Sequence, residues 1–168
     1  MSLPPSWVIA LTYWLHMLAT VVWVGSLAAL NLLVLPAAAK TLNLAEQVDF
    51  LSAMQKRLEP LAWFSMGLLL ATGLFQLSVN PHYDGFLNVS AQWSLSILIK
   101  HSLAAILAVT SAIQTWEILP AIRRVLLKKE KADEGELQRL QRRELILLRV
   151  NLLLSALILG ATAFARAA

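Results

Sequence analysis

Few ionisable residues interrupt the long apolar stretches of the sequence, and two of them are histidines that could ligate a metal. His16 lies about nine residues into the first apolar stretch, and His101 lies about eight residues into the third. At 1.5 Å per helical residue, both imidazoles lie roughly 12 to 14 Å below the outer helix starts. Because ionisable groups are costly inside a membrane, this pair at one depth predicts a functional site.

Two imidazoles facing each other across a helical bundle are typical of a six-coordinate b-type haem. We therefore predict heme b, with His16 and His101 as axial ligands. Lys100 is placed to pair with a haem propionate or a substrate acid, and Trp23 shares a helical face with His16. A bis-histidine iron has no open site, so this interpretation predicts electron transfer near the outer membrane face, to a redox partner protein or a quinone. The alternative is that each histidine only hydrogen-bonds a neighbouring hydroxyl or carbonyl.

A copper ion is the alternative to haem. The sequence contains no cysteine, which excludes disulfides, thiolate sites and thioether-linked haem. Copper would therefore use imidazole and thioether ligands, and Met17 and Met66 are candidate soft donors beside the two histidines. His82 and Asp84, in the turn between the second and third apolar stretches, are weaker candidates near the mouth of the bundle.

The elements that position these residues are long apolar helices. The chain has 168 residues, of which 58% are hydrophobic and 14% charged, and its long apolar stretches leave little chain for any other domain. A membrane-spanning helix needs about 20 apolar residues. The sequence predicts an all-α integral membrane four-helix bundle forming one transmembrane domain. Its helices cover about 7–35, 61–79, 93–119 and 145–164. The first lacks the features of a cleaved signal peptide and is expected to be retained.

The distribution of basic residues predicts the orientation of the bundle. Twelve of the fourteen Lys and Arg residues lie in the loop after the first helix and in or beside the loop at 120–144. The positive-inside rule makes that side cytoplasmic and places the N- and C-termini on the extracytoplasmic side. Anionic lipid headgroups explain the net charge of +4 better than nucleic acid does, so we expect a lipid bilayer and no nucleic acid as partner.

Other polar residues in the apolar stretches are expected to bridge helices or lie near the inner boundary, and the halves of the sequence show no convincing repeat. No hydrolase triad, P-loop or paired-carboxylate site is recognisable. The bridging residues are Asn31, Gln76, Gln114, Glu117 and Asn151.

Several short motifs occur along the chain. They are Leu15-His16, Trp23-Val24-Gly25, Arg57, the Ala-Thr-Gly-Leu of 71–74, and the stretch from Trp93 to Lys100. Together they resemble the copper-resistance D (CopD) domain and, more distantly, the HemJ-type protoporphyrinogen oxidases. The resemblance covers about residues 11–159.

The resemblance implies a four-helix bundle in the cytoplasmic (inner) membrane of a bacterium. The CopD proteins imply copper uptake or handling at the periplasmic face. The HemJ-type enzymes imply that His16, associated with b haem, and Lys100 are functional. The sequence lacks the Leu-Pro-Arg and Asn-Glu-Ile-Pro-like segments of those enzymes, which argues against protoporphyrinogen oxidation and leaves enzymatic activity open. A further alternative is an oligomer or a structural subunit of a larger membrane complex.

Overall fold

The computed structural model describes residues 4–81, 92–127 and 134–167 of the chain. Within these ranges every regular element is helical. The first half contains α1 (Ser6–Ala29), a π-helical segment (Leu30–Val34), α2 (Leu35–Thr41) and α3 (Leu44–Ser78). The second half contains α4 (Gln92–Ile113), a π-helical segment (Gln114–Ile118), α5 (Leu119–Leu127) and α6 (Glu134–Ala167).

In the described ranges four continuous helices are long and apolar enough to cross a membrane, which confirms the predicted all-α membrane bundle. We call them span 1 (Ser6–Thr41), span 2 (Glu46–Ser78), span 3 (Gln92–Val125) and span 4 (Gly135–Ala167). Each has 33 to 36 residues, well above the about 20 that cross the hydrocarbon. The surplus residues of spans 2 and 4 lie at their basic ends, so these helices project from the membrane on that side.

The outer surface of the bundle is apolar. Large aliphatic side chains such as Val21, Leu70, Val109 and Leu153 are exposed on it. In water such a surface would drive aggregation, whereas in a bilayer it contacts lipid tails. The lipid bilayer is therefore the medium that these helices require.

The spans pack most closely as two hairpins, span 1 with span 2 and span 3 with span 4. Span 2 begins with a capping box, in which Asn43 Oδ1 accepts from the Glu46 amide and Glu46 Oε2 accepts from the Asn43 amide, both at 3.0 Å. Polar contacts join the hairpins to each other. Asn31 Nδ2 donates to Leu148 O at 3.2 Å, which connects span 1 with span 4.

The two π-helical segments have the same length and the same sequence context. Each is followed directly by Leu-Pro-Ala, and Pro36 and Pro120 are separated by 84 residues. A proline inside a helix removes one hydrogen bond and clashes with the carbonyl four residues earlier, and a π turn accommodates this locally. The same separation of 84 residues relates His16 to Lys100, so the two halves place these polar groups at matching positions.

Candidate functional site

A buried apolar cluster divides the bundle into two halves, and we call the half at the chain termini the outer half and the other the inner half. The central cluster consists of Trp23, Leu107 and Leu154, from spans 1, 3 and 4, with Met66 of span 2 packed against it. His16 and Lys100 each precede their span's cluster residue by seven positions, which is close to two full helical turns. Both side chains therefore lie on the cluster-facing side of their helices, in the outer half.

His16 is held by span 2 through a hydroxyl relay. Thr72 Oγ1 lies 2.6 Å from Leu68 O and donates its only proton there. It consequently accepts the bond from His16 Nδ1, at 2.8 Å. This assigns the proton of the neutral imidazole to Nδ1 and leaves the lone pair of Nε2 available to a metal ion.

Gly73 allows the imidazole to lie directly against the backbone of span 2. A Cβ atom at this position would be 3.4 Å from His16 Cε1, so even an alanine here would be in close contact with the ring. Together with the Thr72 hydroxyl, the bare backbone fixes the orientation of the ring. Such outer-shell support is usual for a metal-binding histidine.

Two cations accompany His16 in the outer half. The ammonium of Lys100 lies within electrostatic range of the His16 ring, and the guanidinium of Arg166 lies within range of Lys100. The Arg166 guanidinium carbon also lies 5.9 Å from the centre of the Tyr13 ring, in cation–π geometry. This outer site is positively charged, which favours anionic groups and opposes tight binding of a bare metal cation.

The other predicted ligands lie elsewhere. His101 Nδ1 bonds to Ile97 O of its own helix at 2.7 Å. Neighbouring residues point about 100° apart around a helix, so His101 is rotated away from the direction of Lys100. Met17 is 58% exposed on the lipid-facing surface, while His82 and Asp84 lie outside the described residues.

Below the central cluster the bundle contains a cavity of about 90 Å³, which we call the inner chamber. Apolar side chains such as Trp23 and Leu27 form most of its surface, and hydroxyl, amide and carboxylate groups contribute a smaller share. The polar lining residues are Ser26, Gln55, Glu59, Ser111, Gln114, Thr115 and Asn151. The chamber is smaller than the roughly 300 to 1,000 Å³ of most cofactor pockets and does not include His16, so it does not fit a porphyrin.

Asn151 is the centre of the polar contacts between spans 3 and 4. It is only 1% exposed. Its Oδ1 accepts from the Thr110 hydroxyl, and its Nδ2 lies 3.4 Å from Ser111 Oγ and 3.3 Å from Gln114 Oε1. The prediction that Asn151 and Gln114 bridge helices is confirmed.

The remaining predicted bridges also form. Gln76 Nε2 donates to Thr12 O at 3.3 Å, joining spans 1 and 2. Glu117 pairs with Arg143 at 3.7 Å on the exposed surface of spans 3 and 4. An exposed pair of this kind contributes little to stability.

Gln55 and Glu144 form a buried pair that the sequence analysis missed. Gln55 Nε2 donates to Glu144 Oε1, joining spans 2 and 4 at the inner end of the chamber. Both side chains are 6% exposed. In the sequence both residues lie in charged segments that resemble loops. The one feature that could have indicated burial is the position of Glu144 directly before the apolar stretch that begins at 145.

No group of three or more His, Cys, Asp and Glu side chains in the described ranges is arranged to hold a metal ion. Any copper ion held by these residues would therefore rely on few ligands, including thioether or carbonyl donors. Low ligand numbers and soft donors are compatible with a copper ion that is passed on.

Comparison with known proteins identifies the family. The family model for Copper resistance protein D matches residues 52–165, about two thirds of the chain. No curated protein and no solved structure matches the chain. The matched region includes Thr72, Gly73 and Lys100 around His16, and all of span 4 up to Ala165. The chain is a four-span membrane protein that belongs to the copper resistance protein D (CopD) family.

Proposed function

We propose that this protein takes up copper at the extracytoplasmic face of a bacterial cytoplasmic membrane and passes it inward through the bundle. The observation that carries the proposal is the outer site, where Thr72 and Gly73 fix the His16 ring and leave Nε2 free for a metal. Family membership supports copper as the cargo. In this orientation the termini are extracytoplasmic, as the positive-inside rule predicts.

The layers of the bundle suggest a route for the cargo. Copper, especially in its reduced form, favours imidazole and thioether ligands. Met66 packs on the central cluster, between the level of His16 and the inner chamber, and provides a thioether at the apolar layer. We propose that copper moves from His16 past Met66 towards the inner chamber. A two-imidazole site, with His101 as the second ligand, is the alternative arrangement of the outer site.

The cations of the outer site have a role in this proposal. Lys100 and Arg166 repel a bound copper ion and so prevent it from becoming trapped at His16. A transport site must bind its ion tightly enough to admit it and weakly enough to release it. The same cations would attract an anionic ligand that accompanies copper to the protein.

Lys100→Gln is therefore expected to raise the affinity of the purified protein for copper by on the order of tenfold, since removing one nearby positive charge favours the bound cation. Equilibrium dialysis with copper measures the effect. Lys56→Gln, which removes an exposed charge at the other end of the bundle, is the matched control and should leave affinity unchanged. An unchanged or lower affinity in Lys100→Gln would contradict the proposed role of the cation.

Electron transfer by a b haem is the second candidate, because His16 has a free Nε2 and Lys100 is close enough to receive a propionate. It requires the haem to lie outside the inner chamber, against a surface completed by lipid, a redox partner or another copy. The Lys100→Gln variant separates the two proposals, since loss of a propionate partner would lower haem content. A purely structural subunit would show neither effect.

A further inference from the structure

We propose that Glu144 is a protonated carboxylic acid paired with the Gln55 amide, and that the pair is a proton-binding site at the inner end of the bundle. This site is separate from the outer site, and the inference does not depend on which cargo the outer site takes. It rests on three observations. A buried amide oxygen has no hydrogen-bond partner, the buried carboxyl group has no cation beside it, and the inner chamber adjoins the pair.

The orphan atom is Gln55 Oε1. This oxygen is buried and has no hydrogen-bond partner, although Nε2 of the same amide donates to Glu144 Oε1. A carboxylate can only accept hydrogen bonds, so it cannot satisfy an amide oxygen. A carboxylic acid can accept from the amide N–H and donate its own proton to the amide oxygen. A proton on Glu144 is therefore the simplest partner for Gln55 Oε1.

The missing countercharge concerns the carboxyl group. Glu144 is 6% exposed, and among the described residues its side chain bonds only to the neutral Gln55 amide. An ionised carboxylate that is buried without a cation is strongly disfavoured. Taking up a proton from hydronium converts the carboxylate into a neutral acid and releases one water, so the charge and atoms balance.

The charged side chains of the surrounding elements do not supply that countercharge. Glu59 of span 2 lines the chamber and is itself acidic. The basic residues of the neighbouring elements point to the surface. Among the described residues these are Lys40 of span 1, Lys56 and Arg57 of span 2, Arg123 and Arg124 of span 3, and Arg139, Arg142, Arg143 and Arg149 of span 4, all of them exposed. Arg143 is already paired with Glu117.

The inner chamber provides the route for the proton. At about 30 Å³ per water, its volume of about 90 Å³ holds about three waters. Two further buried polar atoms lack partners, Trp23 Nε1 in the chamber wall and Asn31 Oδ1 beside it. Trp23 Nε1 can donate a hydrogen bond to an ordered water, and Asn31 Oδ1 can accept one. Gln55 lines the chamber as well, so the water reaches the pair.

Apolar groups flank the chamber above and below. The central cluster lies above it, and a second cluster of Val48, Ile118 and Ile122 packs with Leu140 and Leu147 on either side of Glu144 along span 4. Proton exchange between Glu144 and bulk water therefore runs through the chamber. A site of this kind can release a proton when a cation enters the chamber, and so conserve charge there.

Infrared difference spectroscopy on the full-length protein in liposomes tests the assignment. At neutral pH the wild type is expected to show the carbonyl stretch of a carboxylic acid, which shifts when the buffer is exchanged for D₂O. The band should disappear in Glu144→Gln and persist in the matched control Glu59→Gln. Loss of the band in Glu59→Gln, or its persistence in Glu144→Gln, would overturn the assignment to Glu144.

A second variant tests the pairing if Glu144→Gln does not fold. Gln55→Leu removes both atoms of the amide, so the carbonyl stretch is expected to change frequency or to disappear. An unchanged band would show that Gln55 is not the partner. A wild-type band that does not respond to D₂O would overturn the proposed access through chamber water.

Discussion

Replacement of His16 by Ala is expected to lower copper binding by the purified protein by at least about tenfold and to stop copper transfer into vesicles. The physical reason is that Nε2 of this residue is the fixed, unoccupied imidazole donor of the outer site. Losing one of few ligands to copper removes more than about 1.4 kcal/mol of binding free energy, which corresponds to this factor. Copper titration of wild type and variant in the same detergent measures the change.

His101→Ala is the matched control for this experiment, because it removes the same chemical group at nearly the same depth. Its Nδ1 bonds the carbonyl of Ile97 on its own helix. If copper binds through His16 and Met66, we expect the copper affinity of His101→Ala to lie within about twofold of the wild-type affinity. Equal losses in both variants would instead support the two-imidazole site, and an unchanged affinity in His16→Ala would refute the outer site.

Asn151→Ala is expected to lower the free energy of unfolding by about 2–4 kcal/mol. The substitution removes an amide that contacts Thr110, Ser111 and Gln114 and leaves a void in a site that is 1% exposed. Hydrogen bonds between membrane helices contribute about 0.6 kcal/mol each on average, and the cavity adds to their loss. Unfolding in mixed micelles, followed by circular dichroism, measures the difference.

Leu153→Ala serves as the control for Asn151→Ala. It lies two residues away on the same helix and is 61% exposed on the lipid-facing surface, so its truncation leaves the helix interface intact. We expect it to change stability by less than about 0.5 kcal/mol. Comparable effects of the two substitutions would show that Asn151 does not organise the contact between spans 3 and 4.

The membrane fold and the outer site follow from the sequence because both depend on features that are local in the chain. Apolar runs of more than about 20 residues predict the helices without knowledge of their packing. His16 and Lys100 stand out because ionisable residues are rare in such runs. The structure brings these two residues close enough to interact electrostatically.

The rest depends on helix rotation and on packing, which one sequence does not contain. Depth alone places His101 beside Lys100, but the two side chains leave the helix about 100° apart. The bond from His16 to Thr72 requires spans 1 and 2 to meet at one particular rotation. The prediction that the two imidazoles face each other was based on their depth in the membrane, because the sequence does not give the rotation of each helix about its axis.

The inner half was harder to predict because its key residues lie at the ends of the apolar runs. Gln55 and Glu144 belong to charged segments that suggest solvent, yet both side chains are buried where spans 2 and 4 continue past the apolar core, and they bond to each other there. The π-helical segments had a local signal that was overlooked. Pro36 and Pro120 both occur as Leu-Pro-Ala inside a helix, at equivalent positions in the two halves.

Copper accumulation in vesicles that contain the purified protein tests the central claim most directly. The vesicles should carry a copper indicator in their lumen, and the wild type should be compared with His16→Ala and with protein-free vesicles. Our account predicts that reduced copper enters the wild-type vesicles and that His16→Ala abolishes this entry. Entry no faster than in protein-free vesicles, together with stoichiometric iron and the reduced spectrum of a six-coordinate b haem in the purified protein, would contradict it.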